Sequence, residues 1–228
     1  MNMNIAIILS AGIGARMKNS IPKQFIEINN KPLFILTLEK FFSCKMVDQV
    51  FLVINKDYKQ IYLDNLKRFH YQNKVLLIEG GNSRQESVFN ALNKITADEQ
   101  DIILIHDGAR PLVNQRIIKE NILLCQKTKK PISTVIKFVD TIIDKDYNLL
   151  DKNSLLAVQT PQTFPYGLIK KLHLQAKNEK LQNVSDDAQL AKKYGYKVEY
   201  VLGSRINIKV TEQEDLALVK LLENVGED

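Results

Sequence analysis

Two hydropathy rhythms alternate along the chain. Short, uninterrupted apolar runs rich in β-branched residues stand at NIAIIL (4–9), DQVFLVI (48–54), KVLLIEG (74–80) and DIILIH (101–106), and each predicts a strand buried on both faces. Between and after them lie LFILTLEKFFSC (33–44), YKQIYLDNLKRF (58–69), SRQESVFNALNKI (83–95) and QRIIKENILLCQK (115–127), where polar residues interrupt the apolar ones at helical spacing. In the third of these, Val88, Ala91, Leu92 and Ile95 share one helical face, and Ser83 with Glu86 has the pattern of a capping box. Strands and helices alternating in this way predict a parallel sheet with helices on both faces.

The rhythm breaks between 133 and 164. Strand-like pieces there flank the turn signal DKDYN (144–148), which predicts a β-hairpin arm, about 139–153, projecting from the sheet. Helices resume near 166–176 and 185–194, followed by a strand KVEYVL (197–202) and the stretch INIKV (206–210). Thr211 and Glu214 repeat the capping-box pattern before the last helix. No linker, repeat or low-complexity segment divides the chain. The expected fold is therefore α/β, a Rossmann-like, doubly wound, mainly parallel sheet in a single domain, 1–228, with a projecting arm. Such sheets bind ligands at the carboxyl ends of their strands. The loops to search are SAGIGARM (10–17), GGNSRQES (80–87), HDGARP (106–111) and the NIKVT turn (207–211).

Composition narrows the field. With 45% hydrophobic and 25% charged residues, the 228-residue chain is an ordinary globular one that can bury a full core. No apolar run has the length of a membrane span, and the N-terminus lacks signal-peptide features, so a cytoplasmic setting is expected. Cys44 and Cys125 fit no zinc spacing and fall in helix-like segments, as packing residues do. The net charge of +6 raises nucleic acid as a partner, but Trp is absent and the basic residues are scattered, mostly Lys, with no block longer than two. Small anions are the natural alternative. Arg is scarce, six in all, which makes an Arg in a glycine loop conspicuous. His70 and His173 read as helix-surface residues, and His106 as a residue that orients its loop.

In LSAGIGARMKNSIPKQF (9–25), Gly12 and Gly14 give only part of a dinucleotide fingerprint, because Met17 stands at the third glycine position, and the loop lacks the G-K-[ST] of a P-loop. Its glycines still let backbone amides approach phosphate oxygens, and Arg16 and Lys23 add positive charge. A triphosphate must be shielded in this way before an anion can attack it.

The same loop resembles that of small-molecule nucleotidyltransferases, and Pro22-Lys23-Gln24 narrows the resemblance to cytidylyltransferases acting on sugar or polyol phosphates. GGNSRQESV (80–88), HDGARP (106–111), TPQTF (160–164) and NIKVT (207–211) follow in order. Together, over about residues 4–222, they resemble the methylerythritol-phosphate cytidylyltransferases of the non-mevalonate isoprenoid pathway, which share the nucleotide-diphospho-sugar transferase type of fold. The resemblance implies that Arg16 and Lys23 stabilise the transition state at the α-phosphorus. Ser10, Ala11 and Gly12 would lie along the nucleotide, and Gly81, Asn82 and Ser87 would read cytosine. Asp107 would serve the ribose and the metal-bound phosphates. Arg110, Thr160 and Lys209, with Thr141 and Lys152 of the arm, would hold the acceptor phosphate.

It implies further that Mg²⁺ binds mainly through the CTP phosphates, and that the chain forms a homodimer whose arms cross to the partner's site. Lys152 stands where the family usually has Arg, which keeps the charge but loses the bidentate fork; Gly108 stands where Ala is common. The acceptor is a phosphate monoester, already largely dianionic at neutral pH, so no general base is needed and catalysis rests on positioning and charge. A ribitol-phosphate cytidylyltransferase shares most of the motifs, although SDDAQLAKKYG (185–195) is more similar to the methylerythritol type. A non-catalytic nucleotide- or nucleic-acid-binding module is the reading of another class, against which stand Arg16 and Lys23 together. Neither nucleic acid nor a membrane is expected as a partner.

Overall fold

The computed structural model describes residues 2–12, 21–181 and 184–223. Its strands are β1 (Asn4–Leu9), β2 (Glu27–Ile28), β3 (Lys31–Pro32), β4 (Gln49–Ile54), β5 (Leu76–Glu79), β6 (Ile102–Asp107), β7 (Ile132–Lys137), β8 (Ile142–Ile143), β9 (Leu149–Leu150), β10 (Leu156–Pro165) and β11 (Glu199–Leu202). Its helices are α1 (Leu33–Phe42), α2 (Lys59–Arg68), α3 (Arg84–Lys94), α4 (Gln115–Thr128), α5 (Tyr166–Asn178), α6 (Asp187–Lys193) and α7 (Gln213–Glu223).

Seven strands form one sheet in the order β11-β7-β10-β6-β1-β4-β5. The neighbours run parallel except β10, which is antiparallel to both β6 and β7. Pleating explains why the central strands are apolar throughout. In β1, Ile5 and Ile7 face α3, α5 and α6, whereas Ala6 and Ile8 face α1, α2 and α4, and all four are fully buried. Each of the three isoleucines contributes about 1.5–3 kcal/mol by leaving water. The sheet is thus doubly wound, as expected. A third apolar cluster joins Leu33, Leu36, Ala109, Leu112 and Val210 to Val219 of α7 and anchors the turn before that helix.

The arm is where the turn signal predicts it. Ile142 pairs with Leu150 and Ile143 with Leu149 in a separate two-stranded ladder, with Tyr147 at positive φ in the turn. Three local expectations change. Cys44 lies just beyond α1 rather than within it, although both cysteines are buried. The last helix is capped by Asp215 instead of Glu214: its Oδ2 accepts from the amides of Thr211 and Glu212 at 2.7 and 2.9 Å, and from the Thr211 hydroxyl at 2.9 Å. His173 is 2% exposed rather than on the surface, because α6 folds Asp187 against it, Nε2 to Oδ1 2.8 Å.

Candidate active site

The carboxyl ends of β1, β4, β5 and β6 open on one cleft of ≈ 550 Å³. Nine residues expected at the site line it: Ser10, Ala11, Gly12, Lys23, Gly81, Asn82, Ser87, Asp107 and Lys209. Arg16 lies outside the described residues.

The base of α3 is set by short-range chemistry. The Ser83 hydroxyl caps the helix by accepting from the Glu86 amide at 3.0 Å, and the Glu86 carboxylate turns back to accept from the Asn82 amide at 2.8 Å. Gly81 is required here, because a Cβ on it would come within 2.2 Å of Glu86 Cγ. The Ser87 hydroxyl accepts from the Gly81 amide at 3.1 Å, which leaves its own proton to donate.

Charge converges on Asp107, whose Oδ2 lies 3.0 Å from Lys209 Nζ and 3.3 Å from Arg110 Nε, while Arg84 Nε is 4.0 Å from Oδ1. Burial alone would raise this carboxyl, but Lys209, Arg84 and Arg110 hold it well below the usual carboxylate range. Lys23 Nζ donates to the Val210 carbonyl at 2.7 Å, beside Lys209 in sequence. Among the described residues lining the cleft, Lys23, Arg84 and Lys209 face the single carboxylate Asp107, so the cleft carries net positive charge.

Beneath the cleft, the Thr160 hydroxyl accepts from the Asp107 amide at 3.1 Å and lies 3.0 Å from His106 Nδ1. Its proton therefore goes to Nδ1, and Nε2–H donates to the Arg110 carbonyl at 3.1 Å. His106 does orient the HDGARP loop, and burial keeps it neutral by pushing its pKa down to about 4. Arg110 also donates to the Asn207 carbonyl at 2.9 Å and supports Asp107 from outside the cleft lining. Thr141 and Lys152 are exposed on the arm, where Lys152 Nζ donates to the Val139 carbonyl at 2.6 Å.

The family model described as 2-C-methyl-D-erythritol 4-phosphate cytidylyltransferase matches residues 4–223. The chain belongs to that family. Its relatives include the 2-C-methyl-D-erythritol 4-phosphate cytidylyltransferase of Clostridium perfringens (strain SM101 / Type A), 42% identical, with 95% of this chain and 96% of the relative covered. A ribitol-5-phosphate cytidylyltransferase of Vibrio parahaemolyticus is 36% identical over 99% of this chain and 98% of its own. Among solved structures, the 4-diphosphocytidyl-2C-methyl-D-erythritol synthase of Anaerococcus prevotii superposes with a TM-score of 0.81 at 29% identity, covering 97% of this chain and 96% of that one.

Two cleft residues of this cytidylyltransferase-family chain escape a reading by motif. Arg84, inside the quoted GGNSRQESV motif, is positioned by α6: Nη1 lies 2.7 Å from Asp187 Oδ2, and Nη2 is buried with no hydrogen-bond partner among the described residues. Gln24 is 4% exposed and lines the cleft; its side chain interacts with the Tyr62 hydroxyl, and its Nε2 has no further hydrogen-bond partner among the described residues. A donor with bonding capacity left at a cleft wall suits a ligand oxygen. The signal available in sequence was the position of Gln24 directly after Lys23.

Proposed function

We propose that the chain transfers the cytidylyl group of CTP to 2-C-methyl-D-erythritol 4-phosphate and releases pyrophosphate, in the supply of isoprenoid precursors. The observation that carries this reading is the cleft itself, where polar groups of Gly81, Asn82 and Ser87 and the cations Lys23, Arg84 and Lys209 line one space. The free Ser87 proton and the amides at 81–82 suit a pyrimidine edge. Lys23, with Arg16, offsets charge at the α-phosphorus as an oxygen of the acceptor phosphate attacks in line and the bond to pyrophosphate breaks. Lys209 is the cation next to that path. The partner's arm, through Thr141 and Lys152, completes the hold on the acceptor, while Arg110 and Thr160, expected as acceptor ligands, instead fix Asp107.

Mg²⁺ fits this donor set as a companion of the triphosphate, since the described cleft lining supplies one carboxylate, Asp107. When bound, it would neutralise charge on the leaving pyrophosphate. The reading extends to a cytoplasmic homodimer with exchanged arms. Its support is the apolar surface of the arm, on which Val139 (52%), Tyr147 (83%) and Leu149 (75%) are exposed; such a ribbon is marginal without a surface to rest on. No helix of the described residues is long and apolar enough to cross a membrane.

The Vibrio relative's name keeps ribitol 5-phosphate as a second acceptor to test. Pyrophosphate release from CTP, measured in parallel with methylerythritol phosphate and ribitol phosphate, separates the two. Faster turnover with ribitol phosphate would replace the proposed acceptor.

A further inference from the structure

The chain meets the cleft at Ser10, where β1 ends, and returns to it at the turn Lys23–Phe25. Both points rest on one side chain of α2, Tyr62, which is fully buried. Its hydroxyl donates to the Ser10 carbonyl at 2.5 Å and lies 3.1 Å from Ser10 Oγ. A phenol has one proton, so with that proton on the carbonyl the Ser10 hydroxyl supplies the second bond. On the ring side, Phe25 packs edge-on with centroids 4.7 Å apart, and Phe34 does so at 5.0 Å. The turn that carries Phe25 is closed by the Phe25 amide on Pro22 O at 3.0 Å and the Ile26 amide on Lys23 O at 3.1 Å. Moving the Phe25 ring therefore moves Lys23 and Gln24 with it. From the far side, the Ser10 amide is held by Val53 O at 2.8 Å. Phenylalanine would fill the same aromatic cluster, so packing alone does not call for the hydroxyl. Burial raises the phenol pKa to about 12, and the proton stays in place over the working pH range.

We propose that Tyr62 is a positioning residue for the transfer reaction. It ties the Ser10 carbonyl and the Phe25 ring to one rigid side chain, and so fixes how Ser10–Gly12 and Lys23 face each other across the bound nucleotide. Its kinetic consequence rests on the function proposed above; its structural consequence does not. Small misplacements of catalytic groups cost rate more than binding.

Tyr62→Phe keeps the ring and removes the hydroxyl's hydrogen bonds to Ser10 together with its interaction with the Gln24 side chain. The expected result is a kcat roughly tenfold to a hundredfold lower per folded molecule, with the KM for CTP changed by less than about threefold. Hydrogen exchange should quicken at the amides of Ser10, Phe25 and Ile26 by about tenfold or more, while α4 keeps its protection. A residue that served packing alone would lower the thermal midpoint but leave kcat per folded molecule and this local exchange pattern alone. Phe25→Leu, which leaves the hydroxyl and loosens the ring contact, should move kcat and the Phe25 and Ile26 exchange in the same direction, and it decides the matter if Tyr62→Phe fails to fold. Turnover within about twofold of wild type, or unchanged exchange at Ser10 and Phe25, overturns the proposal. If the wild-type protein released no pyrophosphate from CTP, the proposed function would fall, and the exchange measurement alone would still decide the role of Tyr62.

Discussion

Lowering the pH from 7 to 5 should cost stability through His106. The ring is fully buried, with Thr160 Oγ1 at Nδ1, the Arg110 carbonyl at Nε2 and Phe41 packed 5.0 Å away. Burial lowers its pKa from 6.5 to about 4. Because the folded value is the lower one, the unfolded chain takes up a proton that the folded chain refuses. Stability present above pH 6.5 is therefore lost as the pH falls towards 4. These two values give a loss of about 2 kcal/mol between pH 7 and 5, or roughly 4–8 °C in Tm for a chain of this size. The lowered carboxyls act in a more acid window: Asp187, depressed to about 2 by Arg84 and His173 against the cost of burial, contributes stability that is lost as the pH falls below its unfolded value of 3.8. Urea unfolding of wild type and His106→Gln at pH 7 and pH 5 isolates the histidine. The variant should start less stable and lose about 2 kcal/mol less over the interval. Equal losses in the two proteins would refute a buried, neutral His106.

Three further outcomes follow from the cleft. Lys23→Ala should lower kcat by about a hundredfold or more with the fold intact, read by steady-state turnover and circular dichroism; near-native turnover would remove Lys23 from the chemistry. Gly81→Ala drives its Cβ into the Glu86 side chain, so it should release the Asn82 amide and weaken CTP binding by about tenfold, measured by calorimetry. For the arm, inactive Lys23→Ala subunits exchanged with inactive Lys152→Ala subunits should regain activity, because a shared-site heterodimer contains one undamaged site. Thr141→Ala replaces Lys152→Ala if the latter stays active, and no recovery after proven exchange would assign the arm to its own subunit or to no site.

Much of this molecule is readable in its sequence because local signals and burial agree. Both faces of β1 are covered, so a continuous apolar run was the correct sign of a central strand. Ser83 caps α3 with groups that lie within four residues of one another, and the pattern predicted it. What the sequence hid depends on long-range approach. Arg84 reads as one polar residue at a helix start until α6 brings Asp187, 103 positions away, to its guanidinium. His173 looks like a surface residue of an amphipathic helix because its partner belongs to the next helix. The resemblance placed Lys209 at the site, but no local pattern shows how it gets there: the buried Asn207 and the cluster beneath α7 turn it onto Asp107. The antiparallel entry of β10 between β6 and β7 has no periodic signature, since a buried strand looks the same in either direction.

The central claim is that this cleft moves a cytidylyl group from CTP to a polyol phosphate. CTP labelled at the α-phosphorus, incubated with the protein, Mg²⁺ and methylerythritol phosphate, tests it most directly. The account predicts label in a CDP-linked polyol, with one pyrophosphate released for each product formed, and little product when ATP, GTP or UTP replaces CTP. Label that stays in CTP or appears only in CMP, or equal transfer from CTP and ATP, would contradict it.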